Sequence, residues 1–478
     1  MCAWFSAPSA RRRGAARPAA ATLVSGLVAA GVMAAAGPAA ADGTPQSQGG
    51  ATATIGGLKT YGTAVIHDDS GDYQVSAGLF EMSVDGGGTL QTYCIDLHNP
   101  TQKDAKYHET PWSGTSLGTN KDAGKIRWIL QHSYPQVNDL AALAAKAGVS
   151  NLTEQDAAAG TQVAIWRYSD GADVDAVDPQ AEKLADYLQK SARDLPEPKA
   201  SLTLDPPALS GHPGERLGPV TVHTNASGVT VTPSPAAATS GVRIVGKDGK
   251  AITSAADGSQ LFFDVPEDAA GGASHASSSG GGSAELTVQA STTVPVGRAF
   301  TSDSRSQTQI LAGSSESTVA ATASATWAGR GAIPALSAAK NCTKGGVDIT
   351  AVNQGDEAFT FELMGVEHSI AAGASETVTI PLQEDQAYDF TIKGPNGFGQ
   401  RFTGVLDCKT QGSAGGTATQ TLSEPSPATV GGTSGDTNLA ETGGTSTTPL
   451  IAAIGLSLLV LGATALSIVR KKKTPARD

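Results

Sequence analysis

Between residues 42 and 198 two hydrophobic periodicities alternate. Tyr93-Cys94-Ile95-Asp96-Leu97 reads as a short strand running into the turn residues His98-Asn99-Pro100. Gly124 to Leu130 sets Ile126, Trp128, Ile129 and Leu130 at helical spacing. Thr153-Glu-Gln-Asp156 is a capping signal, and it opens a helix through Ala164 and Ile165 to Tyr168 that closes near Gly171. Asp178 to Leu195 predicts another helix, ended before Pro196.

From Lys199 the helical signal vanishes. Ser201–Leu204, Val220–Val222, Val229–Val231, Leu261–Val265, Glu285–Val288 and Thr318–Thr326 alternate or carry β-branched residues, with turn clusters between them. This predicts an all-β sandwich over 199–330, with Ala269–Ser283 as a Gly/Ser/Ala loop. A third block, 336–410, alternates again at Val347–Val352, Phe359–Leu363, Thr377–Ile380 and Tyr388–Ile392, and predicts a second small sandwich. Residues 411–438 are Thr/Gly/Ser-rich without an aromatic, the composition of a flexible stalk. The expected shape is a rod, with two Ig-like sandwiches and a stalk holding a mixed α+β block, 42–198, at its far end.

Charge adds the compartment. The 478 residues allow two to four domains. Their net charge of −12 disfavours nucleic acid as a partner. That charge is uneven: residues 1–41 hold four Arg and no acid, and residues 42–442 are strongly acidic. Arg11-Arg12-Arg13, an Ala/Val/Leu run from Ala19 to Ala36 and Ala39-Ala40-Ala41 make a secretory signal peptide, 1–41; the arginines also raise twin-arginine export. At the other end the apolar run 449–469, long enough to span a bilayer as a helix, precedes a basic tail, 470–478, that stays cytoplasmic.

Leu439-Ala440-Glu441-Thr442-Gly443, the span and the basic tail, in that order, resemble a Gram-positive sortase sorting signal in the Ala form used by high-GC actinobacteria. The resemblance implies a sortase of class E type that cuts between Thr442 and Gly443 and joins the chain to peptidoglycan. The protein would be held in the membrane before sorting and anchored extracellularly to the cell wall afterwards.

There are four cysteines. Cys2 leaves with the signal peptide. Cys342 and Cys408 bracket the third block, and in an oxidising compartment they are expected to pair. Cys94 is left over. A buried inert thiol, intermolecular pairing and a reactive thiol are all open at this point.

Around Cys94, Tyr93–Leu97, Lys125–Leu130 and Thr161-Gln162-Val163-Ala164-Ile165-Trp166 resemble, in the family's order, the thioester domain of Gram-positive surface adhesins, often named for its T-Q-x-A motif. The resemblance covers about residues 55–195. It implies an intramolecular thioester between Cys94 and Gln162 that is spent once, on an amine-bearing ligand such as a Lys side chain, so the protein would be no turnover enzyme. Such a store must stay dry, and Tyr93, Trp128 and Trp166 are candidate shields. Thr161 is placed to orient Gln162 or simply to pack. Asp96 and His98 either help with proton transfer or belong to a plain turn.

Two other readings compete: a non-covalent surface or structural protein with an inert thioester fold, and a secreted hydrolase with a Cys nucleophile. The second needs a His base, and of the eight His, His98, His108 and His132 follow Cys94 most closely in sequence. No Cys/His metal constellation and no phosphate-binding loop is visible, so no cofactor is expected.

Overall fold

The computed structural model describes residues 49–410, except Ser70 and 270–280. The expected signal peptide, stalk, sorting motif, membrane span and basic tail lie outside the described residues. Among the described residues no helix is long and apolar enough to cross a membrane.

The first block is built on β1 (Thr52–Asp68), β2 (Gly71–Val84), β3 (Thr89–Cys94), β4 (Lys106–Thr110) and β5 (Val174–Ala176). Their sheet order is β2, β3, Gln309–Ser314, Ala299–Ser302, β4, β1, β5. Because β1 also pairs with β2 along most of its length, six strands close into a ring and β5 extends it. Closure pairs each of the six strands on both sides over part of its length, which leaves local gaps in the ladder. Two of the six come from the second block, which corrects the expectation that 199–330 is a sandwich of its own. Cys94 faces Gln309 in the register, and His108 faces Thr301.

A buried ion pair fastens these late strands. Arg298 donates from Nε to Glu109 Oε1 at 2.9 Å, with side chains 4% and 1% exposed. Glu109 also accepts from the backbone N–H groups of Ala51 and Ser201. Three segments thus meet on one carboxylate, and the hydrogen bonds offset its desolvation.

The helices are α1 (Ala123–His132), α2 (Leu140–Ala147), α3 (Glu154–Ser169) and α4 (Pro179–Ser191). The Thr153–Asp156 capping box forms, with the Thr153 hydroxyl accepting from Asp156 N–H and the Asp156 carboxylate accepting from Thr153 N–H. Every residue of α3 from Ala157 to Trp166 is buried. Glycine allows that depth. A Cβ on Gly160 would sit 2.4 Å from the Ala181 carbonyl of α4, so Gly160 lets the two helices touch.

The rest of the second block forms two sheets. Arg243–Val245, Gln260–Asp264, Arg216–Thr224 and Leu202–Asp205 make one; Ser254–Ala255, Val229–Pro233, Gly282–Thr293, Glu316–Trp327 and Ala208–Gly211 make the other. Leu202, Val220 and Phe263 share a core with Val231, Leu286 and Ala323. Gly282 and Ser283, expected in a loop, belong to a strand whose glycine lies against the Trp327 ring. A short helix, Pro235–Thr239, capped by Ser234, interrupts a segment expected to be wholly β.

The third block is a three-stranded sheet, Pro334–Asn341, Gly346–Asn353 and Ala374–Pro381, with the hairpins Phe359–Leu363/Val366–Ile370 and Ala387–Lys393/Gly399–Val405. Cys342 and Cys408 are bonded across it. It does not extend a rod. Cys342 N–H donates to Ser113 O at 2.9 Å, Lys340 Nζ to Thr301 Oγ1 at 3.2 Å and Arg305 Nε to Asp385 O at 2.9 Å. The third block therefore folds back onto the first.

Candidate functional site

The strand β3 leaves Cys94 with an open edge. Its pairing with β2 runs only to Thr92, opposite Phe80. On the other side Ile95 N–H donates to Thr308 O at 3.1 Å. Successive peptide groups of an antiparallel strand point to opposite edges, so the N–H and C=O of Cys94 face the side that β2 has left. Buried peptide groups demand partners.

Gln162 supplies them. Its Oε1 accepts from Cys94 N–H at 3.0 Å, and its Nε2 donates to Cys94 O at 2.8 Å. The side-chain amide thus stands where a neighbouring strand's peptide would be. Both residues are 0% exposed. The geometry accounts for a glutamine in the middle of a buried helix, since every polar atom of its amide is engaged and the carboxamide carbon is held beside the residue that carries the thiol.

The thiol donates to Asp96 O at 3.2 Å and accepts from Asp96 N–H at 3.3 Å. Burial pushes its pKa well up, and the carboxylates of Asp170 and Asp96 push it further; the Asp96 N–H and the Trp166 indole oppose the rise. Trp166 is 1% exposed, and its indole N–H makes no regular hydrogen bond. It lies close enough to the sulfur to favour the thiolate.

Two acids flank the sulfur. Asp170, at the end of α3, follows Gln162 and Trp166 at four-residue steps on one helix face. Its Oδ1 accepts from Leu97 N–H at 2.8 Å and its Oδ2 from the Ser169 hydroxyl at 2.6 Å. Burial pushes its pKa up to about 7 against those two hydrogen bonds. Asp96 is raised well above the ordinary range by burial, then by the charges of Asp407 and Asp170, while Asn99 opposes the rise.

The sequence-predicted pocket residues divide. Tyr93 is 0% exposed, donates to Tyr134 O at 2.9 Å and lies near the Thr161 hydroxyl, so it walls α3. Thr161 does not orient Gln162: its hydroxyl donates to Ala157 O at 2.7 Å, the i−4 bond that a buried helical threonine readily makes. The ring of Trp128 stacks on His132 of the same helix, with centroids 3.9 Å apart. Asp96 and His98 are not on the strand, because β3 ends at Cys94 and a turn follows.

Sequence reasoning missed Asp170, although its eight-residue spacing from Gln162 was a usable signal. It also missed the chain of amides beneath the site: Thr92 donates to Gln309, Gln309 to Gln307 and Gln307 to the Asn99 carbonyl. No local pattern ties residues 307–309 to residue 94.

Residues 91–194 match the family model described as thioester domain, and both Cys94 and Gln162 fall inside the match. Residues 331–405 match the model described as bacterial phospholipase C, C-terminal domain. Among solved structures the chain is similar to the Bacillus anthracis TIE protein, at 14% identity and a TM-score of 0.24, over 75% of this chain. It spans 64% of that chain's length. The thioester domain of the Enterococcus faecium TIE86 protein is similar at 16% identity and a TM-score of 0.27, over 60% of this chain and 97% of that one. No curated protein matches the chain. The chain thus contains a region of thioester-domain type.

Proposed function

We propose that this is a surface-displayed covalent adhesin in which Cys94 and Gln162 form an internal thioester. The observation that carries the reading is the Gln162 carboxamide gripped at both ends by the Cys94 backbone in a fully buried site. Its location inside the region that matches the thioester model supports it further.

The chemistry balances within the chain. Sγ attacks the carboxamide carbon, a C–S bond forms, the C–N bond breaks and ammonia leaves with the thiol proton. A buried, raised thiol needs a base, and Asp170, held near neutrality, is suited to take that proton and pass it to the leaving nitrogen. Holding both groups in one geometry removes much of the entropic barrier. An incoming primary amine then attacks the thioester carbonyl, an amide forms at Gln162 and the Cys94 thiol is released. Nothing resets the bond, so the protein acts once rather than turning over. The terminal segments support display: export by the signal peptide 1–41, then sortase joining of Thr442 to a cell-wall amine.

The non-covalent reading keeps one observation in its favour: both reacting residues are 0% exposed, so an amine reaches them only if the site opens. A fluorescent primary amine separates the two. Covalent labelling that maps to Gln162 and disappears in Cys94→Ala is the expected result. Absence of label in the parent protein would leave a stalked binding module.

A further inference from the structure

Helix α3 and the chain from Cys94 to Leu97 are stitched together at two points. Gln162 bonds the N–H and C=O of Cys94 at 3.0 and 2.8 Å, and Asp170 Oδ1 accepts from Leu97 N–H at 2.8 Å. Trp166 lies midway between Gln162 and Asp170 on the same helix face, four residues from each. It therefore faces residues 95–96, where the Asp96 peptide holds the Cys94 sulfur: its N–H donates to Sγ at 3.3 Å and its C=O accepts from Sγ at 3.2 Å. The Trp166 side chain is buried, 1% exposed, and its indole Nε1 has no hydrogen-bond partner. A buried N–H left unpaired is costly, so this one calls for a reason.

The neutral thiol does not supply that reason, because the Asp96 peptide already meets it as both donor and acceptor. The charged sulfur does. Attack on the Gln162 carboxamide needs the thiolate, and transfer to an amine returns the C–S electron pair to Sγ. Burial and the carboxylates of Asp170 and Asp96 oppose a negative sulfur, and the Asp96 N–H and the Trp166 indole favour it.

We infer that the Trp166 indole N–H is the second donor of a thiolate cradle, joining the Asp96 peptide N–H when charge builds on the Cys94 sulfur. The inference rests on the Cys94–Gln162 thioester proposed above. In the transfer step the amine nitrogen bonds to the Gln162 carbonyl carbon. The C–S bond breaks with its electron pair going to Sγ, and the proton shed by the nitrogen ends on the sulfur, carried by Asp170. Between bond breaking and proton return the sulfur is an anion. Two N–H groups aimed at it stabilise that state more than the thioester, whose sulfur is a weak acceptor. Gln162, Trp166 and Asp170 then set the electrophile, the sulfur donor and the proton carrier along one face of α3.

The test replaces Trp166 by Phe and, separately, by benzothienylalanine, which keeps the fused ring but carries sulfur in place of the N–H. The full secreted protein of each is treated with methylamine and followed by intact mass. Both variants should take up methylamine about tenfold more slowly than the parent, less than the about 10²–10³ lost with an oxyanion donor, because sulfur is the weaker acceptor. Cys94 is then a free thiol, and its alkylation by iodoacetamide at fixed pH is timed. That rate should fall about threefold in both variants, since the scarcer thiolate is partly offset by its greater nucleophilicity. The alkylation assay needs no thioester. If the parent never forms one, Cys94 is free from the start and the same comparison applies, so failure of the covalent reading and failure of this one are told apart. The benzothienylalanine variant fills the same volume, so it carries the test if Trp166→Phe misfolds. Alkylation as fast in that variant as in the parent would overturn the donor and leave the ring as packing alone. So would methylamine uptake that Phe slows and the isostere does not.

Discussion

At the scale of single residues, the site turns on how buried polar groups are satisfied. The Gln162 amide and the Cys94 peptide complete one another, and Asp170 is the group left near its titration point. A folded-state pKa raised to about 7, from an unfolded value near 4, has a definite sign. The folded protein holds a proton there that the unfolded chain gives up. The associated stability is complete below about pH 4 and is lost as pH rises to about 7. Asp170→Asn removes that loss, so its thermal midpoint should rise relative to the parent at pH 8 and change little in relative terms at pH 4. The same variant should form the thioester about 10²-fold more slowly, the usual weight of a positioned base, and should lose the parent's fall in rate below pH 7. Mass spectrometry of freshly refolded protein reads that rate. A rate unchanged in Asp170→Asn would assign the proton to another group.

At the scale of elements, local patterns were legible and distant pairings were not. The capping box at Thr153 and Asp156, the Asp178–Leu195 run and the Ile126–Leu130 stripe announced three helices, because their causes lie within a few residues. The ring of strands was illegible. Ala299–Ser302 and Gln309–Ser314 carry buried Thr, Ser and Gln instead of an apolar alternation, and their partners lie about two hundred residues earlier. Thr301 is buried against the Thr110 hydroxyl and Gln309 between Thr92 and Gln307, reasons only the assembled ring reveals. Removing Arg298 should expose that dependence. Arg298→Met strands the Glu109 carboxylate and should cost about 3–5 kcal/mol in denaturant unfolding, the usual price of breaking a buried pair. Amine labelling should fall with it, since Gln309 lies opposite Cys94. A loss under about 1 kcal/mol would show the pair to be solvent-relaxed.

At the scale of the whole molecule, composition suggested beads on a rod, and the third block instead folds back against Ser113 and the segment 301–308. Block boundaries were visible as shifts in periodicity, but contacts between blocks rest on single residues such as Ser113, Thr308 and Asp385, which no pattern marks. The Cys342–Cys408 bond closes this block over a separation of 66 residues. Replacing both cysteines by serine should lower its stability by about 4 kcal/mol in the chain-entropy model, read by urea unfolding with and without reductant. The internal thioester is read directly from the intact mass of the secreted protein with and without methylamine. A mass one ammonia below that calculated, beyond the two hydrogens lost at Cys342–Cys408, and recovery as a methylamine adduct at Gln162 are expected. A full-mass protein with an alkylatable Cys94 and no methylamine uptake would contradict it.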